Sequence, residues 1–236
     1  MTFTKETIDG LNVALNEATL LGIEFHRDKE TVAVSFAPVA VDSSGHVPVD
    51  NRVQFVFKSV GKFIASYRLG HWDDANAPTV KFEPEKIFEK VQEFGHCAIY
   101  GWEFIDCKKE SNDNWQDGRL SFSYDSSDKN GRQHTIDLFQ EGGDKHIDIK
   151  IWFDELEIFT PKYEKVEFQT FIDNGKRGWD GVYDGTVSDK FHIYPAATAK
   201  LDFETKEADN KSGTVTITKQ ETKSNLLSTL LKKLFG

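Results

Sequence analysis

His134–Phe159 reads HTIDLFQEGGDKHIDIKIWFDELEIF, and this stretch decides the fold. Two runs that alternate apolar and polar residues flank Gly142-Gly143, a pair that accepts the positive φ of a two-residue hairpin turn. With the turn on those glycines, Glu141 faces Asp144, Leu138 faces Ile147, Ile136 faces Ile149 and His134 faces Ile151. Directly opposed residues share a face. One face then carries Ile136, Leu138, Ile147, Ile149 and Ile151, an apolar stripe fit for a core. A three-residue loop shifts the pairing by one and sets Asp137 among the isoleucines, which is costly.

The same register gives the second face Phe139 with His146, Asp137 with Asp148, and Thr135 with Lys150, and Trp152 follows. Opposed like charges destabilise a sheet. Lys150 and His146 relieve the repulsion, or a cation bridges the two carboxylates, or they share a proton as catalytic dyads do. The plainer reading is a wet sheet face on which both carboxylates are solvated. Asp137, Asp148 and His146 are the candidate catalytic set. A directly opposed pair is too close for an inverting glycosidase.

Period-two alternation covers most of the rest of the chain. Leu21, Ile23 and Phe25 lead through a polar turn to Val32, Val34 and Phe36, a first hairpin. Further strands are expected at Val53–Phe57, Phe63–Leu69, Tyr100–Phe104 and Leu120–Tyr124. A helix is predicted over about 84–94, because Pro84 suits a first helical position, Ile87, Phe88, Val91 and Phe94 keep helical spacing, and Gly95 stops it. Thr7–Glu17 fits either a helix or a strand. After Pro161 the sequence predicts a strand over Val166, Phe168, Thr170 and Ile172, turns at Asn174-Gly175, Asp180-Gly181 and Asp184-Gly185, and a small array through Phe191, Leu201 and Val215. An amphipathic helix over about 225–235 ends the chain, with Leu226, Leu227, Leu230, Leu231, Leu234 and Phe235 on one stripe. The expected class is mainly β, a β-rich α+β chain of antiparallel, sandwich-like sheets. Residues 1–160 form the larger part. Residues 161–236 form a smaller β segment ending in the helix, packed either separately or with the first part.

Charge and composition limit the functions. The net charge of −10 argues against a general nucleic-acid binder. Residues 1–160 hold 28 acidic and 17 basic residues, so the acidity belongs to the larger part. Cys97 and Cys107 are the only cysteines and form no C-x-x-C motif, which fits ordinary thiols of a reducing compartment. No signal pattern opens the chain and no apolar run reaches spanning length, so a cytoplasmic location is expected. P-loop, G-x-G-x-x-G, G-x-S-x-G and H-E-x-x-H motifs are absent.

Three clusters join aromatic and polar residues: Trp72 with Asp73 and Asp74, Trp115 in Asn112–Gly118, and Trp179 with Tyr183 beside Asp180 and Asp184. The second resembles a calcium loop in composition only, since the EF-hand spacing is missing. Trp and Tyr beside carboxylates suit sugar stacking as well as protein interfaces, where such rings dominate binding energy. Simple turn chemistry also accounts for the Asp-Gly pairs. In general character the chain is similar to acidic bacterial immunity and accessory proteins. The expectation is a non-enzymatic interaction protein that binds a basic protein partner, with no cofactor and no metal. Self-association through the terminal helix is a further expectation, and membrane binding is not. A carbohydrate- or calcium-binding β module is the alternative, and a hydrolase using the carboxylate pair the second.

Overall fold

A computed structural model describes residues 2–95, 97–107, 117–127 and 130–187. The chain is a β-rich α+β protein built on two antiparallel sheets. Its strands are β1 (Thr19–His26), β2 (Thr31–Ala37), β3 (Val53–Lys58), β4 (Lys62–Arg68), β5 (Phe122–Asp125), β6 (His134–Glu141), β7 (His146–Phe153), β8 (Glu155–Phe159) and β9 (Lys165–Val166). The first sheet runs β1-β2-β3-β8-β9 and the second β5-β4-β7-β6. Their inner faces meet through aromatic rings. Phe25 of the first sheet lies 5.5 Å from Phe63 and 4.7 Å from Tyr124 of the second, and Phe57 lies 4.7 Å from Phe153. The isoleucine stripe of the hairpin is on this inner face and is buried.

The hairpin register differs from the expected one by two residues. Asp137 pairs with Lys150, Leu138 with Ile149, Ile136 with Ile151 and Phe139 with Asp148. The Gly142 N–H donates to the Lys145 carbonyl at 2.8 Å, so the turn sits on Gly143-Asp144, with Gly143 at φ +82°. A slip of two leaves every side chain on its own face, so hydrophobic alternation does not detect it. Charge does: the slip replaces an aspartate opposite an aspartate by Asp137 opposite Lys150, whose Nζ lies 3.5 Å from Oδ1.

Strands change sheets at one corner. β3 passes into β4 through Ser59–Gly61, and β7 passes into β8 through Asp154. The Asp154 N–H donates to the Lys58 carbonyl, and its carboxylate accepts from the Gly131 and Gln133 N–H groups at 2.8 and 3.1 Å. Gly131, at φ +77°, lies so close that a Cβ there would stand 2.2 Å from the Ser59 carbonyl oxygen. Only glycine closes this corner.

Thr7–Glu17 resolves as a helix, α1 (Lys5–Leu15), with the Thr4 hydroxyl accepting from the Thr7 N–H at 3.2 Å as its N-cap. The expected internal helix is present as a 3-10 turn, Pro84–Lys86, running into α2 (Ile87–Phe94), which covers β1. Two strand expectations are overturned. Val166–Ile172 is not a strand: only Lys165–Val166 pairs, and α3 (Phe168–Tyr183) follows. Phe168, Phe171, Ile172, Gly175 and Trp179 keep helical spacing over a longer window than the short alternation suggested. The Asn174-Gly175 and Asp180-Gly181 turns therefore fall inside a helix, while Asp184 caps it and Gly185 follows at φ +68°. Tyr100–Phe104 is irregular as well. Gly101 adopts φ +143° and Asp106 φ +50°, and the segment only borders β6, where Tyr100 and Asp106 donate backbone N–H groups to Phe139 and Thr135. Cys97 lies in the loop after α2.

β9 joins the first sheet and α3 packs on α1, and Val166, Phe168, Phe171 and Ile172 pack into the core of the larger part. The two helices approach closely through small residues. A Cβ on Gly175 would stand 2.5 Å from Ala14 Cβ, and one on Gly10 would stand 2.7 Å from Ile172 Cγ2. Gly175→Val should cost about 1–3 kcal/mol by overpacking, read as a lower urea midpoint with an unchanged slope. The amphipathic helix at about 225–235, the array through Phe191, Leu201 and Val215, and Trp115 with Asn112–Gln116 lie outside the described residues.

Candidate binding groove

A groove of about 910 Å³ opens between α1, α3 and residues 102–107. Lys5, Ile8, Asp9, Asn12 and Val13, on one stripe of α1, line one wall with Asn16 at its C-cap. The opposite stripe, with Leu11, Ala14 and Leu15, enters the core. Lys176, Trp179, Asp180 and Tyr183 form the facing wall, again at helical spacing. Amphipathic helices that bury one stripe thus present the other to the groove.

Hydrogen bonds fix the third wall. Asn12 Oδ1 accepts the Phe104 and Ile105 N–H groups at 2.9 and 3.0 Å, which ties the segment to α1. Asp106 ties it to β6: Oδ1 accepts the Thr135 N–H and Oδ2 lies 2.8 Å from His134 Nδ1. His134 is buried, with Phe3 4.5 Å away and Phe153 5.8 Å away. Phe104 and Ile105 are thereby held inward, while Trp102 stands 62% exposed at the groove. α3 is anchored by Arg177, whose Nε donates to the Val41 and Asp42 carbonyls at 3.2 and 3.1 Å.

The groove gathers exposed apolar surface. Among the described residues seven large apolar side chains are exposed, and three of them, Val13, Trp102 and Tyr183, line it. Such clustering marks interaction surfaces, whereas single exposed apolar residues are ordinary. Trp179 is buried, and its Nε1 meets no acceptor among the described residues. Carboxylates of Asp9, Glu103, Asp106 and Asp180 line the groove against the ammonium groups of Lys5 and Lys176.

No family model, curated protein or solved structure matches this chain.

The expected site residues are divided between distinct places. Trp179 and Tyr183 come together in the groove, their rings 6.0 Å apart. Trp72, Asp73 and Asp74 lie in the loop after β4, and none of them lines it. Trp72 is exposed there. His71 Nδ1 is 2.6 Å from Asp73 Oδ1 and its Nε2 is 3.2 Å from Glu141. The Asp73 hydrogen bond holds the His71 imidazole above its ordinary pKa. Asp74 is a turn former, accepting the Asn76 N–H at 2.8 Å, while its carbonyl accepts from Arg68 Nη2 at 2.7 Å.

Asp137, Asp148 and His146 share the outer face of the second sheet, but the carboxylates are not opposed. Asp148 stands between Ser66 and Phe139. Burial pushes its carboxyl up to about 7, against the pull of Arg68 and with a further push from Asp137. His146 Nδ1–H donates to the Gly70 carbonyl at 3.0 Å. None of the three lines the groove. Among the described residues no group of three or more His, Cys, Asp or Glu could hold a metal ion. No described helix is long and apolar enough to cross a membrane. Sequence reasoning missed Trp102, Asp106 and His134. Nothing local marks them, because the Asn12 and Asp106 clamps join residues far apart in the chain.

Proposed function

We propose that this chain is a non-enzymatic binding protein that holds a basic segment of a partner protein in the groove between α1 and α3. The supporting observation is the concentration of Val13, Trp102 and Tyr183 around one groove lined by four carboxylates and two lysines. Exposed aromatic side chains supply rigid contact area, and tryptophan and tyrosine carry disproportionate binding energy. The acidic lining selects a cationic partner and speeds its approach. Rigid helices and a doubly clamped third wall limit the ordering cost of binding.

A fluorescein-labelled peptide of mixed arginine, lysine and leucine tests this by anisotropy. It should bind at low salt and weaken as salt screens the carboxylates. Trp102→Ala and Tyr183→Ala should each weaken it about tenfold, a loss of about 1.4 kcal/mol. Both side chains are exposed, so the fold should stay intact. Equal affinity for an acidic peptide of the same length, or unchanged affinity in both variants, overturns the reading. An uncharged oligosaccharide that binds the groove regardless of salt would replace it with a carbohydrate module using the same rings.

A further inference from the structure

We propose that the C-terminal end of α3, with Trp102 facing it, forms a subsite for the guanidinium of an arginine in the bound segment; this rests on the binding role above. Tyr183 is exposed, its ring lies one turn from Trp179 at an interplanar angle of 39°, and Asp180 shares their stripe. The other carboxylates of the groove are engaged. Asp9 Oδ2 lies 3.8 Å from Lys5 Nζ, Asp106 is held by His134 and Thr135, and Glu103 Oε2 lies 3.5 Å from Cys107 Sγ. Asp180 makes no side-chain ion pair among the described residues, so it remains available to a ligand. Lys176, one turn earlier, does not pair with it either.

The helix end adds to this. The last turn of α3 holds no basic residue, so the partial negative charge of the helix C-terminus meets only the capping N–H groups of Asp184, Gly185, Thr186 and Val187. A cation placed there meets Asp180, the helix end and ring faces together. Guanidinium suits the place better than ammonium. It is planar, weakly hydrated, stacks on aromatic rings and grips a carboxylate with two parallel hydrogen bonds.

Three labelled peptides, identical except that every basic position is arginine, lysine or citrulline, separate the possibilities. The arginine peptide should bind about fivefold more tightly than the lysine peptide, and the citrulline peptide weakest. Asp180→Asn and Tyr183→Ala should bring arginine and lysine to parity, while Tyr183→Phe keeps the preference. Unaltered melting curves show that the variants fold. Equal affinity of the arginine and lysine peptides for the unmodified protein overturns the subsite and leaves groove binding standing. A preference that survives both Asp180→Asn and Tyr183→Ala places the arginine elsewhere and also overturns it. If none of the peptides binds, the binding role fails, and the subsite with it.

Discussion

Asp148→Asn should stabilise the protein at alkaline pH and have little effect near pH 4. Burial raises the folded-state pKa of Asp148 from its ordinary 3.8 to about 7. Between those values the folded chain holds a proton that the unfolded chain has lost, so the Asp148 contribution to stability falls as pH rises. The cost is complete above pH 7, where it reaches at most about 4 kcal/mol at about 1.4 kcal/mol per pKa unit. Asparagine keeps the shape and has no such cost. Arg68, which opposes the shift, stays satisfied because it also donates to the Ala77 and Asp74 carbonyls. Melting temperatures of both chains across pH 4–8.5 check this. The gap should widen through pH 4–7 and level off above it, and a gap independent of pH would refute the assignment.

Phe153→Ala should cost about 3–5 kcal/mol, the range for a buried phenylalanine cut to alanine. Phe153 is fully buried at the end of β7, 4.7 Å from the Phe57 ring of the opposite sheet and 5.8 Å from His134. Removing the ring opens a cavity between two sheets that strands crossing at the corner hold in place, so little collapse can fill it. It also takes one of the rings packed on His134, the partner of Asp106. The groove wall should loosen as well, seen as faster amide exchange over Trp102–Asp106 than in Phe153→Leu. Leucine retains most of the volume and should cost less than about 1.5 kcal/mol. A denaturant midpoint near that of the unmodified protein would show that Phe153 does not bridge the sheets.

Residues that report on their own neighbours were legible in the sequence. Pro84 to Gly95 marked a helix start, stripe and stop, and the 3-10 turn with α2 fills that run. The hairpins built on Ile23 and Val34, and on Ile136 and Ile149, followed from alternation because one face of each had to be buried. Val166–Ile172 misled because a short apolar run fits both periods. Packing of the longer stripe on Ala14 and Gly10 chose the helix. Tyr100–Phe104 misled because its backbone is bent by Gly101 and pinned by Asn12 and β6, partners that no local pattern names.

The sequence alone determined the class, the isoleucine face and the acidic balance, because binary patterning and charge are local properties that survive any arrangement of the chain. Tertiary structure decided the hairpin register, since a slip of two keeps the pattern and changes only which charges meet. Tertiary structure also decided that Trp179 and Tyr183 share a groove with Trp102 while Asp137 and Asp148 lie elsewhere. Those juxtapositions arise from helix packing through Gly10 and Gly175 and from side-chain clamps between distant residues.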